Sequence, residues 1–167
     1  WNESPAYSPV IDGYFNQITN KDEYKKQLFY EIVGYCLLQK PIFSKIFILY
    51  GRGGTGKSTF LNLLRKLIGD DYISTLSLHD LEKDFFPAEL FGKLVNLGDD
   101  IDSKMFKDTG MLKSLVSGEG VTVKRMYKDP FTFNNFAKLI YTCNKLPTFN
   151  DRTSGLLRRV CLIDIDN

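Results

Sequence analysis

The chain has 167 residues, 43% hydrophobic and 25% charged, which predicts a soluble, cytoplasmic protein of one domain, with or without a helical extension. No apolar run approaches the ~20 residues of a membrane-spanning helix, and no signal peptide is visible, so we expect no membrane contact. The net charge of +2 excludes a polycation, so any nucleic-acid contact must come from a local cluster.

Hydrophobic periodicity predicts helices and strands in alternation. An irregular lead-in covers residues 1–13, and apolar residues at helical spacing predict one or two helices over 14–39, which Pro41 ends. Next we predict a strand at 46–50, a helix at 57–67, a strand at 72–78, a helix at 80–91 broken by Pro87, and a strand at 93–98. A helix at 103–116, hairpin strands at 121–126 and 131–134, and buried strands at 137–143 and 160–165 complete the chain.

This alternation predicts an α/β fold in which helices flank a central parallel sheet. We assign residues 1–40 to the lead-in and a helical extension, and residues 41–167 to the main domain. Because the chain starts at Trp1 instead of Met and stops just after an apolar run, we expect it to be a fragment of a longer polypeptide.

The cysteines and the lone histidine limit the chemistry. Cys36, Cys143 and Cys161 are widely spaced in apolar runs, which predicts buried, reduced thiols. With His79 as the one histidine, we expect neither a zinc site nor a nucleophile activated by histidine. We interpret His79 as a polar residue at the start of a helix.

A glycine-rich loop, GRGGTGKS, lies at residues 51–58 between a predicted strand and a predicted helix. Such a loop offers backbone N–H groups and a helix N-terminus to a phosphate. It predicts a nucleotide site in which Lys57 contacts the β- and γ-phosphates and the Ser58 hydroxyl ligates Mg²⁺. A glycine-rich turn that fits by chance is the weaker interpretation. The predicted nucleotide-binding residues are Gly51, Arg52, Gly53, Gly54, Thr55, Gly56, Lys57, Ser58 and Thr59.

Hydrolysis also needs a magnesium carboxylate and a base for the attacking water. Asp99 and Asp100 follow a predicted strand, and ligand sites of open α/β sheets lie at such carboxyl ends. One carboxylate can hold magnesium while the other orients or deprotonates the water. Asp102 is a third candidate, and a solvated acidic loop is the alternative.

Polar residues flank two later strands as well. Asn144 follows the predicted strand at 137–143, where an amide can polarise the water; by itself it would be a turn residue. Arg158 and Arg159 precede the last strand, from which an arginine can reach a nucleotide held by a neighbouring subunit. A surface pair is the alternative for the arginines.

The predicted hairpin carries Lys124, Arg125 and Lys128 together with Tyr127. Cations at a hairpin tip beside an aromatic ring can grip the phosphates of a single strand and stack on its bases. From the residues alone, a solvated basic hairpin explains the pattern equally well. Of the other aromatics, Phe131 and Phe133 are expected to lie in the core.

The order of these motifs resembles the superfamily III helicases, most closely the helicase domains of phage and plasmid primase-helicases and the poxvirus primase-helicase. The resemblance runs from about Tyr35 to Ile165. It rests on GRGGTGKS, GDDID, SGEGVTVKRMYKDPFTF, KLIYTCNKLP and GLLRRVCLIDI. It implies an AAA+-like P-loop NTPase fold with an inserted β-hairpin, assembled as a hexameric ring that holds ATP between subunits.

The resemblance also implies roles for the candidate residues. Lys57 and Ser58 become the phosphate-loop lysine and the metal ligand, Asp99 and Asp100 the acidic pair, and Asn144 the polar sensor. The division of labour within the acidic pair stays open, with Asp99 assigned to the metal and Asp100 to catalysis.

Two further groups take their roles from the family in the same way. Arg159 or Arg158 becomes the finger that acts on the neighbour's ATP, and Lys128 falls at the tip of the central-pore hairpin. Lys45 lies near a family lysine that precedes the loop, at an imperfect offset. Asn96 and Gly98 make the acidic strand less apolar than is usual in the family.

We therefore expect the ATP- and Mg²⁺-dependent DNA helicase motor of a phage, plasmid or mobile-element replication protein in a bacterial host. It would translocate on single-stranded or forked DNA, and a primase domain on the same polypeptide is an open option. The alternatives are an ATP-binding replication initiator or loader without unwinding activity, and a P-loop small-molecule kinase.

Overall fold

Helices and strands alternate along the chain, of which the computed structural model describes residues 8–99, 101, 109–147 and 154–165. The helices are α1 (Pro9–Ile18), α2 (Glu23–Cys36), α3 (Lys57–Ile68), α4 (Thr109–Ser117) and α5 (Ser154–Leu157). The strands are β1 (Ile46–Tyr50), β2 (Ile73–Ser74), β3 (Val95–Gly98), β4 (Gly120–Val123), β5 (Phe131–Asn134), β6 (Lys138–Cys143) and β7 (Val160–Asp164). Short 3-10 helices occupy Asp70–Tyr72, Leu78–Glu82 and Phe86–Leu90.

Five strands form one parallel sheet in the spatial order β2, β3, β6, β1, β7. The central strands β1 and β6 are almost entirely buried, because their apolar runs are covered on both faces. In the register, Ile46 lies opposite Leu139 on one side and Val160 on the other. The predicted α/β class with a parallel sheet is confirmed. Because the strands are parallel, all of their carboxyl ends lie along one edge of the sheet and all of their amino ends along the opposite edge. Different candidate residues lie at these two edges.

Side chains alternate across the sheet into two cores. Phe47 and Leu49 of β1 point to the face covered by α1, α2 and α3, where they join Phe15, Phe29 and Phe60. Ile46 and Ile48 point to the opposite face, which α4 and the hairpin of β4 and β5 cover with Leu112, Leu115 and Phe133. The two N-terminal helices therefore share a core with the sheet. The domain boundary between residues 40 and 41 stays a prediction.

The N-terminal helix α1 occupies part of the predicted lead-in, so the expectation of irregular structure was wrong from residue 9 onward. Ser8 caps the helix by accepting a hydrogen bond from the Ile11 N–H, and Pro9 opens it. Serine followed by proline is a typical helix start, because proline's fixed φ suits the first turn. This signal outweighs the irregular composition of the segment.

Between α3 and β3 the chain is less regular than predicted. The strand expected at 72–78 is limited to β2, and the helix expected at 80–91 is replaced by two 3-10 helices with Pro87 in the second. The hairpin strand expected at 121–126 ends at Val123. Within the helix predicted at 103–116, residues 103–108 lie outside the described residues, and α4 begins at Thr109.

The three cysteines are free thiols, of which Cys36 and Cys143 are buried and Cys161 is half-buried. Burial raises the pKa of the Cys36 thiol to about 12. None of the helices in the described ranges combines the length and apolar character that spanning a membrane requires.

The unusual residues of β3 are explained by its packing against β6. Asn96 is completely buried, and its side-chain amide makes four hydrogen bonds, to the Ser74 hydroxyl, the backbone of Leu76 and the Tyr141 hydroxyl. A buried amide with every group paired fixes the position of β3 against its neighbours. Gly98 leaves room for the Tyr141 ring, which a Cβ at position 98 would overlap.

Replacing Gly98 with alanine should lower the free energy of unfolding by about 3 kcal/mol, because the methyl group must displace the buried Tyr141 ring. Gly34→Ala is the matched control. Gly34 is exposed within α2, and a Cβ added there would meet no atom within 4 Å, so the same change should raise the unfolding free energy by about 0.5–1 kcal/mol. Urea denaturation of both variants measures the two values. Equal stability of Gly98→Ala and wild type would contradict this packing.

Candidate nucleotide site and hairpin

A cavity of about 400 Å³ opens at the carboxyl edge of the sheet, between the glycine loop and the ends of β3 and β6. It brings together residues that lie far apart in the sequence. Its lining consists of Gly53, Gly54, Gly56, Lys57, Ser58, Thr59, Asp99, Thr142 and Asn144. Most of the predicted phosphate-contacting and metal-binding positions therefore share one space with Asn144.

Gly56 closes the loop and caps α3. Its φ of +99° is a left-handed backbone conformation that residues with a Cβ rarely adopt. A Cβ at this position would also lie 2.9 Å from Cγ2 of Ile18. The glycine thus lets the first turn of α3 begin directly at the cavity, where unpaired N–H groups of a helix N-terminus can bind an anion.

The Lys57 side chain folds back over the loop and is only 8% exposed. Its ammonium group donates hydrogen bonds to the carbonyl oxygens of Gly51 (2.5 Å) and Arg52 (2.7 Å). Hydrogen bonds from an ammonium group to a phosphate are stronger than those to a neutral carbonyl. A phosphate in the cavity can therefore recruit this ammonium group.

Asp99 stands directly beside the loop. One carboxylate oxygen accepts a hydrogen bond from the Ser58 hydroxyl (3.3 Å), and the other accepts one from the Thr142 hydroxyl (2.5 Å). A hydroxyl and a carboxylate at such separation offer hard oxygen ligands, which suit Mg²⁺. Asp100 and Asp102 lie outside the described residues, so the sharing of roles within the acidic group stays a prediction.

Thr142 is a residue of the site that sequence reasoning missed, because a buried threonine within an apolar run looks like an ordinary strand residue. The register of the sheet is what brings it to the site. Gly98 lies opposite Tyr141, so the next residue on each strand, Asp99 and Thr142, also face one another. Thr142 thereby fixes the orientation of the carboxylate that approaches Ser58.

The two arginines lie at the opposite, amino edge of the sheet and differ in their environment. Arg159 donates hydrogen bonds through its guanidinium to the Ser117 hydroxyl (3.0 and 2.8 Å) and to the Gly155 carbonyl (2.5 Å). Arg158 has an exposed side chain, whereas its backbone carbonyl accepts a hydrogen bond from the Lys45 ammonium group at 2.6 Å. Strand β1 separates this edge from the loop by ~16 Å. Neither arginine can reach the cavity of its own chain.

The strands β4 and β5 form the expected antiparallel hairpin. Lys124 lies 3.5 Å from the Asp84 carboxylate and 5.0 Å from the Phe85 ring. Arg125 packs over the rings of Phe91 (5.9 Å) and Phe131 (5.3 Å). Both cations therefore lie on the body of the hairpin, and their charges are held against aromatic rings.

Lys128 and Tyr127 form the tip of the hairpin. The Lys128 N–H donates to the Arg125 carbonyl at 3.1 Å, which closes a tight turn, and the Lys128 side chain is exposed. Tyr127 has a φ of +58° and is 99% exposed. The core assignment is confirmed for Phe133, which is buried, while Phe131 is half-buried against the same cluster.

The parallel sheet and the strand–loop–helix unit at residues 46–68 define a P-loop NTPase-like fold. Residues 49–159 match the model of a family described as "Family of unknown function (DUF5906)", and the chain belongs to this family. The family description names no activity.

The chain is also similar to a curated protein of Acanthamoeba polyphaga mimivirus that is named "Putative helicase L207/L206". The two are 27% identical over 160 residues, which are 92% of this chain and 17% of the mimivirus protein. This relative bears out the resemblance to helicases.

Among solved structures, the apo A form of the NrS-1 C terminal region matches with a TM-score of 0.77 and 20% identity, over 98% of this chain and 39% of that one. An apo structure of NrS-1 residues 305–718 matches with a TM-score of 0.75 and 18% identity, over 97% of this chain and 39% of that one. These neighbours confirm the fold. The chain spans less than half the length of each of these relatives.

Proposed function

We propose that this chain is the motor domain of an ATP-dependent DNA helicase that serves replication of a phage, plasmid or mobile element. It works as a hexameric ring in the host cytoplasm and moves along single-stranded or forked DNA. One observation carries the proposal: the cavity and the exposed Arg158 lie on opposite edges of the sheet. A head-to-tail neighbour would bring that arginine to the cavity and complete the site.

Other observations support the same proposal. The mimivirus relative carries a helicase name, and the fold is that of the NrS-1 C terminal region. Lys57 supplies a cation, and Ser58 and Asp99 supply oxygen ligands for Mg²⁺. When bound, the metal neutralises charge on the phosphates of ATP. Thr142 orients Asp99, and Asn144 supplies an amide at the cavity wall for positioning the water.

The ATPase rate with and without single-stranded DNA tests this function, together with particle size in a non-hydrolysable ATP analogue. We expect DNA-stimulated hydrolysis and a ring-sized assembly. Nucleotide binding and assembly without DNA-stimulated hydrolysis would instead identify an initiator or loader. Phosphoryl transfer to a small molecule by the monomer would identify a kinase.

Replacing Lys128 with alanine should abolish strand displacement while basal ATPase stays within about twofold, because the hairpin tip lies apart from the cavity. Lys128→Arg keeps the positive charge and should retain most unwinding. Lys66→Ala, an exposed lysine on α3, serves as the surface control. Unwinding by Lys128→Ala at the wild-type rate would rule out a DNA-gripping role for the tip.

A further inference from the structure

Helix α1 lies directly against the end of the phosphate loop. The Tyr14 hydroxyl donates a hydrogen bond to the Gly56 carbonyl oxygen at 2.9 Å, across 42 residues of sequence. Ile18, one turn further along α1, fills the space beside Gly56. The family match at residues 49–159 does not include this helix. The contact is therefore a feature of the site that the loop motif itself does not contain.

The Tyr14 hydroxyl carries its proton at neutral pH and can therefore donate a hydrogen bond. The side chain is half-buried, and burial raises the pKa of the hydroxyl still further above neutral pH, where a tyrosine is already protonated. The aromatic stack beneath it holds the helix in place. Phe15, the next residue, has its ring centroid 5.6 Å from that of Phe29 and 6.2 Å from that of Phe60 in α3.

The hydrogen bond acts on the peptide unit that begins α3. In a trans peptide the C=O and the following N–H point in opposite directions, and the described residues contain no cis bond. A bond that fixes the Gly56 carbonyl toward α1 therefore directs the Lys57 N–H away from α1. The Gly56 carbonyl also belongs to the first hydrogen-bonded turn of α3, so the Lys57 N–H projects from the N-terminal end of this helix, where Gly56 and Lys57 line the cavity.

We infer that Tyr14 is a positioning residue of the phosphate site: its hydroxyl holds the Gly56–Lys57 peptide so that the Lys57 N–H is preset for a nucleotide phosphate. This inference rests on the proposed ATP site and extends it to α1. The same bond polarises the peptide, which strengthens its N–H as a donor. The Gly56 carbonyl also accepts the Phe60 N–H at 3.1 Å, so the tyrosine adds a second restraint to the first turn of α3.

The Tyr14→Phe variant removes the hydroxyl and keeps the ring and its packing. Titration calorimetry with Mg·ADP should show a dissociation constant raised by up to about fivefold, because the energy of one neutral hydrogen bond is the upper limit of what it costs to order the peptide on binding. In steady-state kinetics, KM for ATP should rise by a similar factor while kcat changes less than about twofold. The melting temperature reports separately on packing of the helix.

Tyr30→Phe is the matched control. The Tyr30 hydroxyl donates to the Asp12 carboxylate at 3.2 Å and thus ties α2 to the same helix α1, without contact to the loop. This variant should bind Mg·ADP as wild type does. An equal loss of affinity in both variants would mean general loosening of α1 and would overturn the inference, as would unchanged affinity in Tyr14→Phe. If wild type binds no Mg·ADP, the proposed function itself fails.

Discussion

Replacing Lys57 with alanine should lower the ATPase rate at saturating ATP by at least about 100-fold. Among the described residues that line the cavity, Lys57 is the one cation, so its loss leaves the phosphates without a positive side chain from their own subunit. Because the ammonium group acts on charge that develops during phosphoryl transfer, we expect the loss chiefly in kcat.

The control for this variant must separate chemistry from folding. Lys57 also donates to the Gly51 and Arg52 carbonyls, so its removal alters the empty loop as well. The melting temperature of the variant measures this change separately and should fall only slightly, since the apolar face of α3 that packs on the sheet is unchanged. Lys66→Ala, on the exposed side of the same helix, should hydrolyse ATP normally. Full turnover by Lys57→Ala would refute the assignment of the loop.

The part of the site that the sequence could predict consists of residues that directly follow a strand of the parallel sheet. The loop follows β1, Asp99 follows β3, and Asn144 follows β6. Parallel strands have their carboxyl ends at one edge of the sheet, so the sequence alone predicts that the loop, Asp99 and Asn144 lie close together. The strands β1 and β6 were equally predictable, because continuous apolar stretches mark strands covered on both faces.

Contacts that depend on the exact register and packing could not be predicted. Thr142 meets Asp99 because β3 and β6 are paired in one particular register, and Tyr14 meets Gly56 because α1 packs across α3. The irregular segment between β2 and β3 likewise reflects tertiary packing over local propensity. Burial of Leu78, Leu81 and Leu90 holds its 3-10 helices in place.

The sequence could not distinguish the two arginines, whereas the packing does: Arg158 is exposed, and Arg159 is hydrogen-bonded within the chain. Arg158→Ala should reduce the ATPase rate of the assembled protein by about 1,000-fold, the range of arginine fingers supplied by a neighbour. Arg159→Ala should act differently. Its guanidinium bonds Ser117 and Gly155 within the chain, so we expect a lower melting temperature and a smaller loss of ATPase.

Arg158→Lys tests the geometry of the finger, because lysine keeps the charge but loses the planar fork and should restore little activity. Mixing provides the decisive measurement. Arg158→Ala subunits keep an intact loop, and Lys57→Ala subunits keep an intact arginine. In a head-to-tail ring that contains equal numbers of the two variants, roughly one interface in four pairs an intact loop with an intact arginine. ATPase activity should reappear in the mixture although each variant alone is inactive. A mixture that stays inactive, with rings of normal size, would place the arginine outside the shared site.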